Sequence, residues 1–171
     1  LIGDYIYSKA FIYLVDIGNK KILKELASTT NDIAQGELVQ LDAINNVNIT
    51  LNKLKKISYF KTGRLFEAAA KTGAIIANEN KAFNYNVSEC AKNLGILFQI
   101  IDDLLDYSDS KKIGKPVFQD IKEGKVTYPF FYAYKNANTR EKKRLKDLLG
   151  VSRDLKSKDL ELITSLEGIK K

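Results

Sequence analysis

The sequence predicts an all-α fold, and three observations carry that expectation. Apolar residues recur at three- and four-residue intervals along almost the whole chain, no stretch alternates apolar and polar residues as a half-buried strand does, and no internal repeat is present. With 171 residues and 44% apolar content the chain can bury one sizeable core, so a single domain over residues 1–171 is expected.

Taken in order, Leu1 to Ile17 carries Ile2, Ile6, Ala10, Tyr13, Leu14 and Ile17 as a helical stripe, ended by Gly18 at a C′ position. Asn19 can cap a second helix from Lys20 to about Leu41. Its apolar positions include Ile22, Leu23, Leu26, Ile33 and Leu38, while Gly36 and the run Ser28 to Asn31 lower its propensity and suit a face turned to a cavity or another helix. Asn45 to Asn48 reads as a loop, and Thr50 as the N-cap of one long helix to about Asn78. A turn at Asn78 to Asn80 leads into a fourth helix, followed by one irregular stretch from about Ser108 to Val126 that contains Gly114, Pro116 and Gly124. Irregular stretches of that length inside compact domains are usually functional or disordered. Thr127 to Ala137 is an aromatic helix, Thr139 caps a short basic one, and Ser157 starts an amphipathic segment to Lys171.

Charge and cysteine usage narrow the function classes. The 28 basic and 21 acidic residues give a net charge of +7, but the stretch from Lys135 onward holds 11 basic and 6 acidic residues and so accounts for +5 of it. A uniformly basic stripe with interleaved aromatics is therefore absent, and no nucleic-acid partner is expected. Cys90 stands alone, which excludes a disulfide framework or zinc cluster and predicts a small core residue in a reducing, cytoplasmic setting. No apolar run approaches the roughly 20 residues of a membrane-spanning helix.

The chemistry concentrates on Asn93 to Asp106, NLGILFQIIDDLLD. At about 100° per residue, Gln99, Asp102, Asp103 and Asp106 share one helix face, with Leu97, Ile100, Leu104 and Leu105 on the core side. Like charges at these spacings, near the helix C-terminus, repel one another and oppose the helix dipole, and a cation would remove both penalties. An all-oxygen set suits a hard ion such as Mg2+ bridging to substrate phosphates. The same spacing also occurs on a solvated acidic face. What favours a site is its combination with the glycine-flanked lysines Lys115 and Lys125 and with the Lys61-Thr62 pair in an apolar helix, a set that can neutralise a polyanion. Gly114 and Gly124 as hinges, with Pro116 blocking helix continuation, suggest that Ser108 to Val126 closes as a lid.

The segments LIGDYIYSKAF, KTGRLFEAAAKTG, FQIIDDLLDYSD and GKPVFQDIKEGKVTYP, in that order, resemble the trans-isoprenyl diphosphate synthases over nearly the whole chain. The resemblance implies the C-terminal part of a helical bundle around a central cavity. It also implies an enzyme that ionises an allylic diphosphate with Mg2+, adds isopentenyl diphosphate to the carbocation and loses a proton, giving a polyprenyl diphosphate of medium or long chain. By motif, it implies that Asp102, Asp103 and Asp106 are the second aspartate-rich motif, with Asp102 the direct Mg2+ ligand. It places Gln99 beside the allylic carbon, Lys61 and Thr62 near the allylic diphosphate, and Lys115 and Lys125 in the closing loop. A homodimer through the first two helices is implied as well.

Two departures shape the expectation. The family's first aspartate-rich motif is not in the sequence, which opens inside a helix and contains no Met, so an incomplete bundle, inactive by itself, is expected. The alternative is a non-catalytic partner or regulatory subunit of a heteromeric synthase. Phe118 also stands where the family often has glycine.

Overall fold

The computed structural model describes residues 1–107, 118–151 and 157–165, and every described element of regular structure is a helix. Helices α1 (Ile2–Ile17), α2 (Lys20–Leu41), α3 (Leu51–Ser58), α4 (Arg64–Ile76) and α5 (Lys81–Leu105) are followed by the short α6 (Gln119–Lys122), then α7 (Tyr128–Asn136), α8 (Thr139–Leu148) and α9 (Ser157–Ser165). A π turn, Tyr59–Gly63, joins α3 to α4 without a break.

The starts of these helices follow from their caps. Gly18 takes the left-handed conformation, φ 67°, that ends α1, and the Asn19 side chain accepts the N–H groups of Lys21 and Ile22 to open α2. Thr50 accepts the Lys53 N–H, and Asn80 that of Phe83, at the starts of α3 and α5. The expected Thr139 cap is corrected by one residue. Asn138 accepts from the Glu141 backbone while the Glu141 side chain accepts the Asn138 N–H, a reciprocal capping box.

Helix α2 turns Ile22, Glu25, Thr29 and Gly36 inward, α4 packs along α5, and α4 and the π turn lie against α2. The largest dry core sits at the other end, where Ile121, Phe130, Ala133, Leu145 and Ile163 are fully buried against Ala43, Ile49, Leu54 and Ile57. Its closure fixes the chain that follows α5. Asn45 donates its N–H to the Gly124 carbonyl at 2.8 Å, and Gly150 donates to the Ile121 carbonyl at 2.7 Å. Gly124 has φ 73° and Gly150 φ 76°, so both occupy backbone conformations that favour glycine.

Several expectations change. The single helix to Asn78 is interrupted by the π turn, which local periodicity does not encode. Cys90 is exposed on α5, not a core residue. The assignment of Leu97 and Leu105 to the core is overturned: they are 51% and 43% exposed, whereas Asp103, on the face expected to be polar, is only 7% exposed. The reason is packing. Helix α5 buries Ser88, Gly95 and Asp103, the side that meets α4 and α7, and leaves Leu94, Leu97, Phe98, Ile101 and Leu105 outward. Residues 118–126 of the expected irregular stretch contain α6, while Lys115 and the rest of 108–117 lie outside the described residues, as does the tail beyond 165. No described helix is long and apolar enough to cross a membrane.

Candidate active site

The site grows from the π turn. There the Arg64 N–H reaches back five residues to the Tyr59 carbonyl, so adjacent side chains leave the turn toward different neighbours. Lys61 extends to α2, donating to the Gln40 Oε1 at 3.1 Å, and Thr62 extends to α5, donating to the Gln99 Oε1 at 2.6 Å. Glycines let the helices come this close. A Cβ on Gly36 of α2 would lie 2.6 Å from the Phe60 Cβ, and one on Gly95 of α5 would lie 2.7 Å from the Gly63 Cα. The Gly36 that weakens helix propensity in the sequence is therefore a packing requirement.

From Thr62 the hydrogen bonds continue in one direction. Gln99 donates its Nε2 to the Asp103 Oδ1 at 2.8 Å, one helical turn on, so its amide is held with the oxygen toward Thr62. Behind this chain Ser58 donates to the Tyr128 hydroxyl at 3.3 Å. Lys61, Gln99, Asp103 and Lys125 line one cleft together with Gln40 and Tyr128, and its free volume of about 20 Å³ admits a water or one small ion.

The carboxylates of the motif part ways. Asp102 is exposed, and its side chain makes no hydrogen bond to a described residue. Asp103 is pushed up to about 6, first by burial and further by Asp102, against the hydrogen bond from Gln99 and the charge of Lys61. Asp106 accepts the backbone N–H groups of Gln119 at 3.1 Å and Asp120 at 3.2 Å, and burial still raises its pKa. It thus fastens α6 to the end of α5, helped by the Phe118 N–H, which donates to the Asp106 carbonyl at 2.8 Å. Phe118 itself has φ 60° and ψ 25°, the conformation a glycine takes freely, and its ring packs edge-on against Tyr107. That accounts for a position where the resembling family often carries glycine.

Sequence reasoning missed Asp120, Gln40 and Arg64. Asp120 is pushed up to about 7 by burial and then by Asp106 and Asp103, with Lys125 and Lys61 opposing. It stands well beyond the motif in sequence, so no spacing within the motif could announce it. Lys125, expected to be free until a polyanion arrives, already pairs with Glu123. Burial works to lower its pKa, and Glu123 and Asp120 outweigh that to leave it raised.

Among the described residues no three carboxylate, thiol or imidazole groups converge closely enough to hold a metal by themselves. The donor set nevertheless fits a hard divalent ion that takes other ligands from a phosphate. Its donors are oxygens only, the exposed Asp102 carboxylate has no hydrogen bond to a described residue, and burial and then neighbouring carboxylates raise the pKa of Asp103, Asp106 and Asp120.

The chain is similar in sequence and fold to known proteins. The chain belongs to the polyprenyl synthetase family, whose pattern it matches over residues 1–166. It is 40% identical over 134 residues to the octaprenyl diphosphate synthase of Escherichia coli (strain K12), covering 78% of this chain and 42% of that protein. It is 37% identical over 175 residues to the short chain isoprenyl diphosphate synthase of Methanocaldococcus jannaschii, covering 99% of this chain and 52% of that protein. Among solved structures, a decaprenyl diphosphate synthase from Rhodobacter capsulatus superposes with a TM-score of 0.86 at 34% identity, over 96% of this chain and 51% of that one. A polyprenyl synthase from Caulobacter crescentus CB15, crystallised with calcium and isoprenyl diphosphate, gives 0.87 at 32% identity, over 96% and 52%. The chain thus spans about half the length of the relatives it matches.

Proposed function

We propose that this chain supplies the diphosphate-ionising half of a prenyltransferase that joins an allylic diphosphate to isopentenyl diphosphate, with Mg2+ as cofactor. The observation that carries the reading is the directed chain Thr62 to Gln99 to Asp103 beside a cleft that Lys61, Lys125 and Asp103 line together. Diphosphate leaves only when its growing charge is neutralised; Asp102, supported by Asp103 and Asp106, would hold Mg2+, which would supply that charge as a Lewis acid. Lys61, Lys115 and Lys125 add fixed positive charge to the phosphate oxygens. The cleft is too small to swallow a diphosphate, so the group binds at its mouth. There the oriented oxygens of Thr62 and Gln99 face the cationic carbon and offer dipoles without a free nucleophile.

Names of relatives, octaprenyl and nonaprenyl among them, favour a medium or long product. The exposed apolar side chains of α1, from Ile2 to Ile17, support a homodimer through that helix, and the absence of a spanning helix among the described residues is consistent with a cytoplasmic enzyme. The test is the natural full-length protein incubated with isopentenyl diphosphate and a panel of allylic diphosphates. Mg2+-dependent chain elongation is expected. No product from any allylic substrate, with no pyrophosphate binding by calorimetry, would overturn the reading.

A further inference from the structure

We infer that Arg64 is a positioning residue whose guanidinium pins the π turn so that Lys61 lines the cleft and Thr62 meets Gln99 on its wall. The inference deepens the reading above and rests on it. A π turn inside a helix needs support from outside, because the same residues can regularise to α geometry, and a one-residue change of register swings every later side chain by about 100°. Here the two ends of the turn are tied to one acidic group. Tyr59, the first residue of the turn, donates its hydroxyl to the Glu67 Oε2 at 2.6 Å, and Arg64, whose N–H closes the turn, brings Nη1 within 3.7 Å of the same oxygen. Arg64 then reaches across to α2, with Nη1 to the Glu25 Oε1 at 2.7 Å and Nε to the Asp32 Oδ2 at 2.8 Å, while Lys71 holds the other Glu25 oxygen at 2.7 Å.

Only a planar fork can hold Glu25 and Asp32, a helical turn and more apart on α2, from one side chain. The consequence lies on that same helix. Gln40, the partner of Lys61, is carried by α2, so fixing the turn to α2 fixes where Lys61 meets it, while Gly95 lets α5 close on the other side where Thr62 meets Gln99. A buried ion cluster is a poor source of stability compared with well-packed apolar groups, but it is directional, and direction is what two adjacent side chains with opposite destinations require.

The experiment separates direction from stability in the natural full-length protein. The triple variant Glu25→Gln, Asp32→Asn, Arg64→Met removes the three charges of the fork together, leaving Glu67 with the Tyr59 hydroxyl as donor and Lys71, 40% exposed, to solvent, so the fold is retained. Its crystal structure is expected to lack the Lys61 to Gln40 and Thr62 to Gln99 bonds. Its kcat should fall about 100-fold while KM for isopentenyl diphosphate stays within about twofold, the pattern of a displaced reacting group. Both bonds intact, or kcat within about threefold of wild type, overturns the inference. Should the triple variant fail to fold, Arg64→Lys decides. One ammonium cannot hold both carboxylates, so a folded Arg64→Lys protein is expected to lose about tenfold in kcat, and one with unchanged kcat overturns the inference equally. A wild-type protein without turnover would sink the functional reading alone, and the two bonds in the variant's crystal structure would still decide this one.

Discussion

Two acidic clusters lie either side of the π turn, and they are built on opposite principles. Around Arg64, the carboxylates Glu25, Asp32 and Glu67 meet a buried guanidinium and the Lys71 ammonium. Burial works to raise the pKa of Glu25, yet Lys71 and Arg64 outweigh it and leave it below the ordinary value. Around Asp103, no arginine enters from the described residues. Asp103 rises to about 6 and Asp120 to about 7, Asp106 is raised as well, and each carboxylate makes the next harder to ionise. The first cluster is complete in the folded chain and the second is not. Clustered acidic residues thus mean structure in one place and an appetite for cations in the other, and the cations paired with them among the described residues are what tell them apart.

The largest expected effect breaks the complete cluster. Glu25→Ala leaves Arg64 buried without its shortest partner, and loss of one member of such a pair costs about 3–5 kcal/mol. Thermal denaturation should show it as a large fall in Tm at any pH where Glu25 is ionised, and a variant melting within a degree or two of wild type would mean the cluster is not the strut described. The next effect sharpens the other side. Asp102→Ala removes an exposed carboxylate with no hydrogen bond to a described residue, so Tm should hold while kcat falls about 10²- to 10³-fold, the scale of one lost electrostatic group. Activity within a factor of three, or a Tm loss comparable to that of Glu25→Ala, would erase the distinction.

Much of this was legible in the residues. The helical spacing from Leu1 to Ile17 and from Lys20 to Leu41, the caps at Asn19 and Thr50, and the all-α class follow from local pattern, and local pattern survives folding. The meeting of Lys61, Thr62, Gln99, Asp103 and Lys125 was also expected, and these residues do border one cleft or bond directly into it. What stayed hidden depends on contacts between distant segments. The π turn has no local signal, since KTG reads as ordinary helix until Gly36 and Gly95 close on it. Asp120 needs the Asp106 clamp to bring it back to the motif, and Leu97 and Leu105 needed knowledge of which side of α5 meets α4 and α7. The Asn138 cap is different. Its signal, Asn-x-x-Glu, stands in the sequence one residue before the threonine that was preferred.

A pH experiment tests the incomplete cluster directly. A carboxylate whose pKa is raised by folding binds its proton more tightly in the native state, so the fold loses stability as pH climbs from the unfolded value near 3.8 through about 7, and the penalty is fully present above that. Asp120→Asn removes its share. The variant should match wild type near pH 4 and exceed it at pH 8 by up to about 4 kcal/mol, roughly three pKa units at about 1.4 kcal/mol each, read from urea denaturation at the two pH values without divalent ions. An equal difference at both pH values would trace the change to packing and not to charge.

The smallest effect concerns Lys125, whose partner is already a carboxylate. Lys125 pairs with Glu123, a half-exposed residue, and such a pair is worth only about 0.2–1 kcal/mol. Diphosphate must displace Glu123 to use Lys125, so the pair acts as a weak competitor for the substrate. Glu123→Gln keeps the shape and removes the competing charge, and the full-length protein with Mg2+ should bind pyrophosphate about 1.5- to 5-fold more tightly, the same energy expressed as affinity. The sign matters more than the size. Weaker binding would mean that Glu123 orients Lys125 toward the ligand and belongs with the balanced carboxylates around Arg64, whereas unchanged binding would remove Lys125 from the diphosphate site and leave Lys61 and Lys115 to hold it.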